Sequence, residues 1–210
     1  TSVYGGNTAD HFLVAAKTGD RLNLYQVHAV DAEVIPYGLI DGGGAAEVLF
    51  DNTKAELLIE NAQSSLQDAL DAGIVALCSE AVGMMDATYQ ITLDYLKQRK
   101  QFERPIGDFQ VLQHRAVDML TEIEQSRSIT IKAASELGGA NASRYASMAK
   151  QLIGRSGRLI AEEAIQMHGG IAMTWDYAVS HYAKRLIMID HQLGDTDFHL
   201  SRVMGMLNAA

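Results

Sequence analysis

The chain has 210 residues, a formal net charge of −9, 48% hydrophobic residues and 20% charged residues. This composition excludes general disorder, and the acidic balance argues against nonspecific binding of nucleic acid, which requires a basic surface. The single cysteine, Cys78, excludes an internal disulfide framework and a Cys-rich zinc site, and it fits a reducing, cytoplasmic compartment. No apolar run approaches the ~20 residues of a membrane span.

Residues 1–62 contain short runs of β-favouring residues separated by turn residues. The runs predict strands over 11–16, 22–30 and 45–50. A turn at 17–20 and a glycine-rich loop at 41–44 separate them. Because a fragment of three or four strands cannot close into a barrel, we interpret this region as an incomplete β-domain that pairs with strands from elsewhere.

From Gln63 onward the apolar residues recur with the period of an α-helix. The pattern predicts four long helices and a short fifth, over residues 64–99, 109–137, 141–168, 177–192 and 196–208. Pro105 and Gly107 separate the first two, and no proline follows, which suits long helices because proline removes a backbone donor. The fold class is therefore predicted to be mainly α, with a four-helix bundle over 63–210.

A cationic segment joins the first two predicted helices. It contains Lys97, Arg99, Lys100 and Arg104 in an otherwise acidic chain. A guanidinium at a helix end beside a Gly/Pro turn can hold a phosphate or pyrophosphate. Cations also favour a helix C-terminus without any ligand, so the residues alone leave both interpretations open.

A second candidate motif, Gln166–Thr174, follows the third predicted helix. Its two glycines, Gly169 and Gly170, allow the backbone to approach a ligand closely, and exposed amides can face an anion. An ordinary helix cap would use the same glycines. A di-iron centre, which bundles often hold, requires Glu-x-x-His pairs; the sequence has none, and we predict no metal site.

Three motifs occur in a fixed order: Arg99-x-Gln101-Phe102, then Pro105-Ile106-Gly107-x-Phe109-Gln110, then Gln166-x-His168-Gly169-Gly170-Ile171 with Thr174-Trp175. In this order and at these separations they resemble the C-terminal half of the flavin-dependent acyl-CoA dehydrogenases. Residues 76–81 and 193–195, with His199 and Arg202, are similar to members that act on bulky or ring-derived acyl-CoAs. Some of those members are built from unlike subunits.

The resemblance implies that 1–62 is the remainder of a central β-barrel domain and that 63–210 is the C-terminal bundle. It implies FAD bound between subunits of a homo- or hetero-tetramer, an acyl-CoA substrate and an electron-transfer acceptor protein. Arg99 and Phe102 would meet the diphosphate and adenosine portion of FAD in a neighbouring subunit, with Gln110 beside them. Gln166, Gly169 and Gly170 would meet the diphosphate from the other side.

The sequence departs from the family pattern where the base that removes the C2 proton is expected. Many members place Glu just before the glycine of the last inter-helix loop, where this chain has Leu193, and the other family position aligns with Gly73. Glu80, two turns further along the first helix, is the nearest alternative. Its apolar surroundings predict burial, which suits a base. Alternatively, Glu80 pairs with an arginine, Arg115 or Arg127.

Further departures from the family pattern, and the alternative functions, accompany this interpretation. Glu103 stands where the family usually has Gly, and a carboxylate beside a pyrophosphate is unfavourable unless Arg99 or Arg104 neutralises it. Asp195 and Asp197 are further carboxylates near the last loop, and Asp195 is predicted to cap the last helix. The chain lacks an initial methionine, so we expect a longer protein. The alternative functions are a noncatalytic structural subunit and a helical binding module without flavin.

Overall fold

The computed structural model describes residues 2–208. Within that range five α-helices form: α1 (Gln63–Gln98), α2 (Gln110–Ser135), α3 (Ala142–His168), α4 (Ala178–His191) and α5 (Thr196–Asn208). Their ends lie within one or two residues of the predicted ends. The mainly α fold class with a smaller β region is confirmed.

Short strands fill most of the first 60 residues. In the described part of the chain they are β1 (Ser2–Tyr4), β2 (His11–Thr18), β3 (Arg21–His28), β4 (Glu33–Gly38), β5 (Gly44–Leu49) and β6 (Glu56–Ile59). They form two antiparallel three-stranded sheets in the orders β1-β5-β4 and β2-β3-β6. The three predicted strands correspond to β2, β3 and β5, whereas β1, β4 and β6 were not predicted.

The β region has its own small core. Phe12 from one sheet packs with Ala46 and Val48 from the other. Pro36 lies in β4, whose partner in the sheet is β5, at the edge position where proline interrupts no second ladder. The chain divides into two compact units between Gln67 and Asp68, while the change in sequence pattern lies at 62/63.

The helices of the second unit share one apolar core. α3 packs against α2, α4 and α5. Small residues on α3 allow close approach; Gly157, for example, faces the side chain of Leu186 on α4. The fully buried members include Met85, Met119, Ile153, Ile160 and Ile189. Burial of such side chains is worth about 1.5–3 kcal/mol each, so this core holds the helix ends in place.

Candidate functional site

A tight hairpin replaces the simple break predicted between α1 and α2. Its strands are β7 (Lys100–Gln101) and β8 (Arg104–Pro105). The two turn residues, Phe102 and Glu103, both have left-handed backbones, with φ of 53° and 65°. That combination defines the type I′ turn of two-residue hairpins, which normally uses Asn-Gly. The turn holds Phe102 with 84% of its surface exposed, so the ring is presented outward.

Gly107 fixes this hairpin to the end of α1. A Cβ built on Gly107 would lie 3.0 Å from the carbonyl oxygen of Leu96, so a side chain there would collide with the helix backbone. The Ile106 amide also donates to the Arg99 carbonyl at 2.8 Å. Close approach of two backbones is therefore the physical reason for glycine in the Pro-Ile-Gly motif.

The second motif forms an exposed backbone turn at the end of α3. Gly169 has φ 70° and ψ −150°, a conformation restricted to glycine, and a 3₁₀ turn follows over Gly169–Met173. Gly169 and Gly170 are exposed, and a Cβ built on either would meet nothing within 4 Å. Gln166 is exposed in the last turn of α3. The Gly169 amide donates to the Ile165 carbonyl, and the open space around both glycines lets a ligand approach the backbone of this turn.

His168 links the two motifs. Its ring lies 4.5 Å from the ring of Tyr95, centroid to centroid, and 5.2 Å from that of Tyr177. Tyr95 is one turn before Arg99, and its carbonyl accepts the Arg99 amide at 2.8 Å. His168 Nδ1 donates to the Ala164 carbonyl at 2.8 Å. Burial lowers the pKa of His168, so the ring packs as a neutral group. The C-terminal ends of α1 and α3 therefore lie together.

The chemistry of this region fits an anionic dinucleotide. Arg99, Lys100 and Arg104 are exposed around the hairpin, and the Arg104 guanidinium stacks on the Phe109 ring at 4.1 Å. Guanidinium groups bind phosphate oxygens, and an exposed aromatic ring can stack on a base. Gln110, also exposed, begins α2 directly after the hairpin. The three cations, the outward Phe102 and the Gly169–Gly170 turn are of the chemical types that bind nucleoside diphosphates.

The family model described as acyl-CoA dehydrogenase, C-terminal domain, matches residues 64–205. The chain belongs to the acyl-CoA dehydrogenase family.

Individual relatives agree with that assignment. Acyl-CoA dehydrogenase IpdE2 of Mycobacterium tuberculosis is 36% identical over 115 residues, which cover 55% of this chain and 35% of that protein. A variant of the Tcur3481–Tcur3483 steroid ACAD superposes with a TM-score of 0.88 at 28% identity, over 96% of this chain and 56% of that one. The ChsE4–ChsE5 complex of M. tuberculosis superposes with a TM-score of 0.91 at 22% identity, over 98% of this chain and 57% of that one. This match supports the fold alone.

The chain thus spans about a third of that curated relative and just over half of the solved structures. The match covers the helical unit, which contains both motifs described above.

The two positions where the sequence analysis expected a base, Gly73 and Leu193, lie close to one another. A Cβ built on Gly73 would be 3.2 Å from Cδ1 of Leu193. Leu193 has a left-handed backbone, with φ 56°, and 42% of its surface is exposed. The prediction that Asp195 caps α5 is confirmed, because its Oδ1 accepts the Phe198 amide at 2.8 Å. The contact between Gly73 and Leu193 is apolar.

The structure corrects two expectations about Glu80. The side chain is 36% exposed, so the predicted burial is wrong. Its carboxylate accepts two hydrogen bonds from Arg185 on α4, at 2.7 and 2.9 Å. Neither predicted partner is correct, since Arg115 binds Glu163 at 2.5 Å and Arg127 binds Asp86 at 2.6 Å. Arg185 lies more than 100 residues away in sequence, and helix periodicity alone does not reveal which arginine faces α1.

The described residues were also searched for a metal site and for a membrane-spanning helix. Among residues 2–208, no group of His, Cys, Asp and Glu is arranged to hold a metal ion. Within the same range, no helix is both long and apolar enough to cross a membrane.

Sequence reasoning missed three side chains that shape the site. Tyr95 and Tyr177 pack against His168, and Lys150 is completely buried inside the bundle. A signal for Lys150 was present, because it occupies a core position in the helical series Ala146, Lys150, Ile153 and Gly157. A lysine on the apolar stripe of a central helix indicates a buried charge with a specific partner.

Proposed function

We propose that the full-length protein oxidises an acyl-CoA thioester to its 2,3-enoyl-CoA and that this chain is its C-terminal portion. The observation that carries the proposal is the Tyr95–His168 contact, which brings the cationic hairpin and the Gly169–Gly170 turn to the same end of α1 and α3. Membership of the acyl-CoA dehydrogenase family supports it. In this reaction a base would remove the proton from C2, and bound FAD would supply the acceptor for the hydride lost from C3.

The chain's own contribution is to hold FAD. In this proposal Arg99 neutralises the diphosphate, Phe102 contacts the adenosine portion in a neighbouring subunit, and Gln110 lies beside them. Gln166, Gly169 and Gly170 contact the diphosphate from the other side, through side-chain amide and backbone groups. When bound, FAD supplies the hydride acceptor that no amino-acid side chain provides.

The remaining finer expectations are also proposals. We propose a bulky or ring-derived acyl group, supported by the steroid ACAD among the similar structures. We also propose a tetramer of like or unlike subunits, and the two-protein name of the Tcur3481–Tcur3483 steroid ACAD supports unlike subunits; an electron-transfer protein would reoxidise the flavin. The cytoplasmic location rests on the single cysteine.

Flavin content of the full-length protein, purified with any natural partner subunit, tests the proposal. We expect a yellow protein that reduces an electron acceptor when acyl-CoA is added. Arg99→Ala should weaken FAD binding at least about tenfold, since it removes a charge-assisted contact. Arg158→Ala is the matched control, because Arg158 is an exposed helical arginine paired with Glu162 at 2.8 Å. A preparation of the unchanged protein without flavin would overturn the proposal and favour the helical binding module.

Glu80 is the candidate base within the catalytic interpretation. To accept the C2 proton it must give up part of its double hydrogen bond to Arg185. Glu80→Gln should then lower turnover by about 10²–10⁴ with flavin content unchanged. Asp86→Asn is the matched control, because Asp86 is a second α1 carboxylate paired with an arginine of another helix. Equal turnover in both variants would exclude Glu80 as the base.

A noncatalytic subunit of a heteromeric complex is the second candidate function. Two observations favour it: Leu193 and Gly73 make an apolar contact at the expected base positions, and Glu80 is engaged by Arg185. In that case Glu80→Gln leaves turnover of the intact complex unchanged. Arg99→Ala would still reduce flavin content, which separates this function from a module that binds no flavin.

A further inference from the structure

Lys150 is a lysine with no exposed surface, near the middle of α3. Its Nζ donates to two backbone carbonyls, that of Asp190 at 2.9 Å and that of Gly194 at 2.7 Å. Asp190 belongs to the last turn of α4, where carbonyls have no partner within the helix. One ammonium group therefore caps α4 from a different helix and also binds the loop that follows.

Retaining a charge at this position is costly. Burial lowers the pKa of Lys150 and is the largest influence on it, while Asp190, Cys78 and Asp195 act in the opposite direction. A buried ammonium loses its hydration, and an apolar side chain of the same length would avoid that loss. The two carbonyl contacts offset this cost, and they fix the path of the chain between α4 and α5.

Other groups complete the support of this loop, residues 192–195. Asp190 Oδ1 accepts hydrogen bonds from the amide and hydroxyl of Thr196, at 3.1 and 2.9 Å. Gly154, one turn after Lys150, makes room for this cap, since a Cβ there would lie 2.0 Å from Asp190 Oδ1. From α5, Nε2 of the fully buried His199 donates to the Leu193 carbonyl at 2.9 Å. The loop is thus held at both ends and in the middle.

The supported backbone is an unfavourable one. Leu193 and Gly194 have consecutive positive φ values of 56° and 95°. A left-handed conformation is unfavourable for a non-glycine residue, so it persists only where contacts enforce it. Here the enforced conformation directs Leu193 against Gly73 on α1.

We propose that Lys150 is a positioning residue that fixes the α4–α5 loop and thereby sets Leu193 as an apolar wall beside Gly73 for the acyl group. The acyl contact rests on the proposed function, in which the thioester lies at these two positions. The fixation of the loop rests only on the contacts described above. The two parts therefore have separate tests.

Hydrogen exchange of the full-length protein, in complex with any natural partner, tests loop fixation. In the unchanged protein the Thr196 amide, which donates to Asp190 Oδ1, should exchange much more slowly than the amide of an unstructured loop. Lys150→Met should accelerate exchange of the Thr196 amide about tenfold or more, with α2 unchanged, because the hydrogen bonds from the charged donor to the Asp190 and Gly194 carbonyls are lost. Lys150→Gln, which keeps N–H donors on a shorter side chain, should have a smaller effect. Lys132→Met, at an exposed lysine, is the control.

The proposal would be overturned if the Thr196 amide of the unchanged protein exchanged as fast as that of an unstructured loop, a measurement that does not depend on whether Lys150→Met folds. It would also be overturned if neither Lys150 variant accelerated this exchange.

Steady-state kinetics then test the acyl wall. Lys150→Met should raise KM for acyl-CoA at least about threefold with flavin content unchanged. In a Leu193→Ala background the same change should add nothing, since Lys150 acts through Leu193. An equal rise in both backgrounds contradicts the proposal, whereas a complex without any acyl-CoA turnover refutes the proposed function instead.

Discussion

Leu193 covers Gly73 so closely that a methyl group on Gly73 would lie 3.2 Å from Leu193 Cδ1. Alanine is normally about 1 kcal/mol better than glycine inside a helix. Here the gain depends on whether Leu193 can move aside, and its backbone is held by the bonds from His199 and Lys150. The contact between Leu193 and position 73 therefore predicts that glycine is more stabilising than alanine here, the reverse of the usual preference inside a helix.

Gly73→Ala should lower the free energy of unfolding by about 1 kcal/mol, because the cost of overpacking exceeds the gain in helix propensity. In a Leu193→Ala background the same substitution should instead raise it by up to about 1 kcal/mol. Urea denaturation of the full-length protein, followed by circular dichroism, measures both. Stabilisation of similar size in both backgrounds would show that Leu193 does not restrain Gly73.

Glu103→Gly should stabilise the protein by about 0.5–1 kcal/mol. Glu103 has φ 65°, a conformation that glycine adopts freely, and the gain is reduced by the greater entropy of glycine in the unfolded chain. Gln101→Gly, in the adjacent strand β7, should destabilise and is the control. The melting temperatures of the two variants and of the unchanged protein test this prediction. An equal fall in melting temperature for both variants would exclude backbone strain at the turn.

Gly154→Ala should be strongly destabilising. The new Cβ would lie 2.0 Å from Asp190 Oδ1 and 2.3 Å from Thr196 Oγ1, so the cap of α5 must break or α3 must shift. A loss of about 2–3 kcal/mol is expected. Gly83→Ala, in α1 with nothing within 4 Å of the new methyl, should stabilise. Opposite signs in denaturant midpoints for these two helical glycines are the expected result.

Stability should fall as pH drops below about 6.5. Burial lowers the pKa of His168 and of His199 from the ordinary value of 6.5. Between the folded and unfolded pKa values the unfolded chain binds more protons, so the free energy of unfolding decreases as pH falls through that window. His199→Asn should flatten the dependence of Tm on pH between 5 and 8, whereas His114→Gln, at an exposed site, should not. Parallel Tm curves for His199→Asn and the unchanged protein would contradict this.

Helix positions were predictable from the sequence because the 3.6-residue period and the Gly/Pro interruptions are local signals. The C-terminal end of α1, for example, was predictable from Pro105 and Gly107, and the start of α5 from Asp195. β4 was missed because Pro36 argues against a central strand, while an edge strand tolerates it. The hairpin was missed because Phe102-Glu103 is not a typical I′ sequence.

Local motifs also located parts of the candidate site, whereas the contacts between those parts depend on tertiary packing. Motif order located the Arg99 and Gly169 segments, but their meeting at His168 depends on how α1 and α3 pack. The partner of Glu80 was mispredicted because several arginines share the helical period, and only the packed bundle selects Arg185. Long-range pairing of this kind is decided by tertiary contacts and leaves no trace in local spacing.

Cys78 has no exposed surface, and burial raises the pKa of its thiol to about 12. A thiol reagent in neutral buffer therefore reacts only with molecules in which the bundle has opened, because the thiolate is the reactive form. Cys78 is the one cysteine of the chain, so it can serve as an intrinsic probe of opening. The labelling rate under native conditions reports how often α1 separates from its neighbours, without any engineered probe.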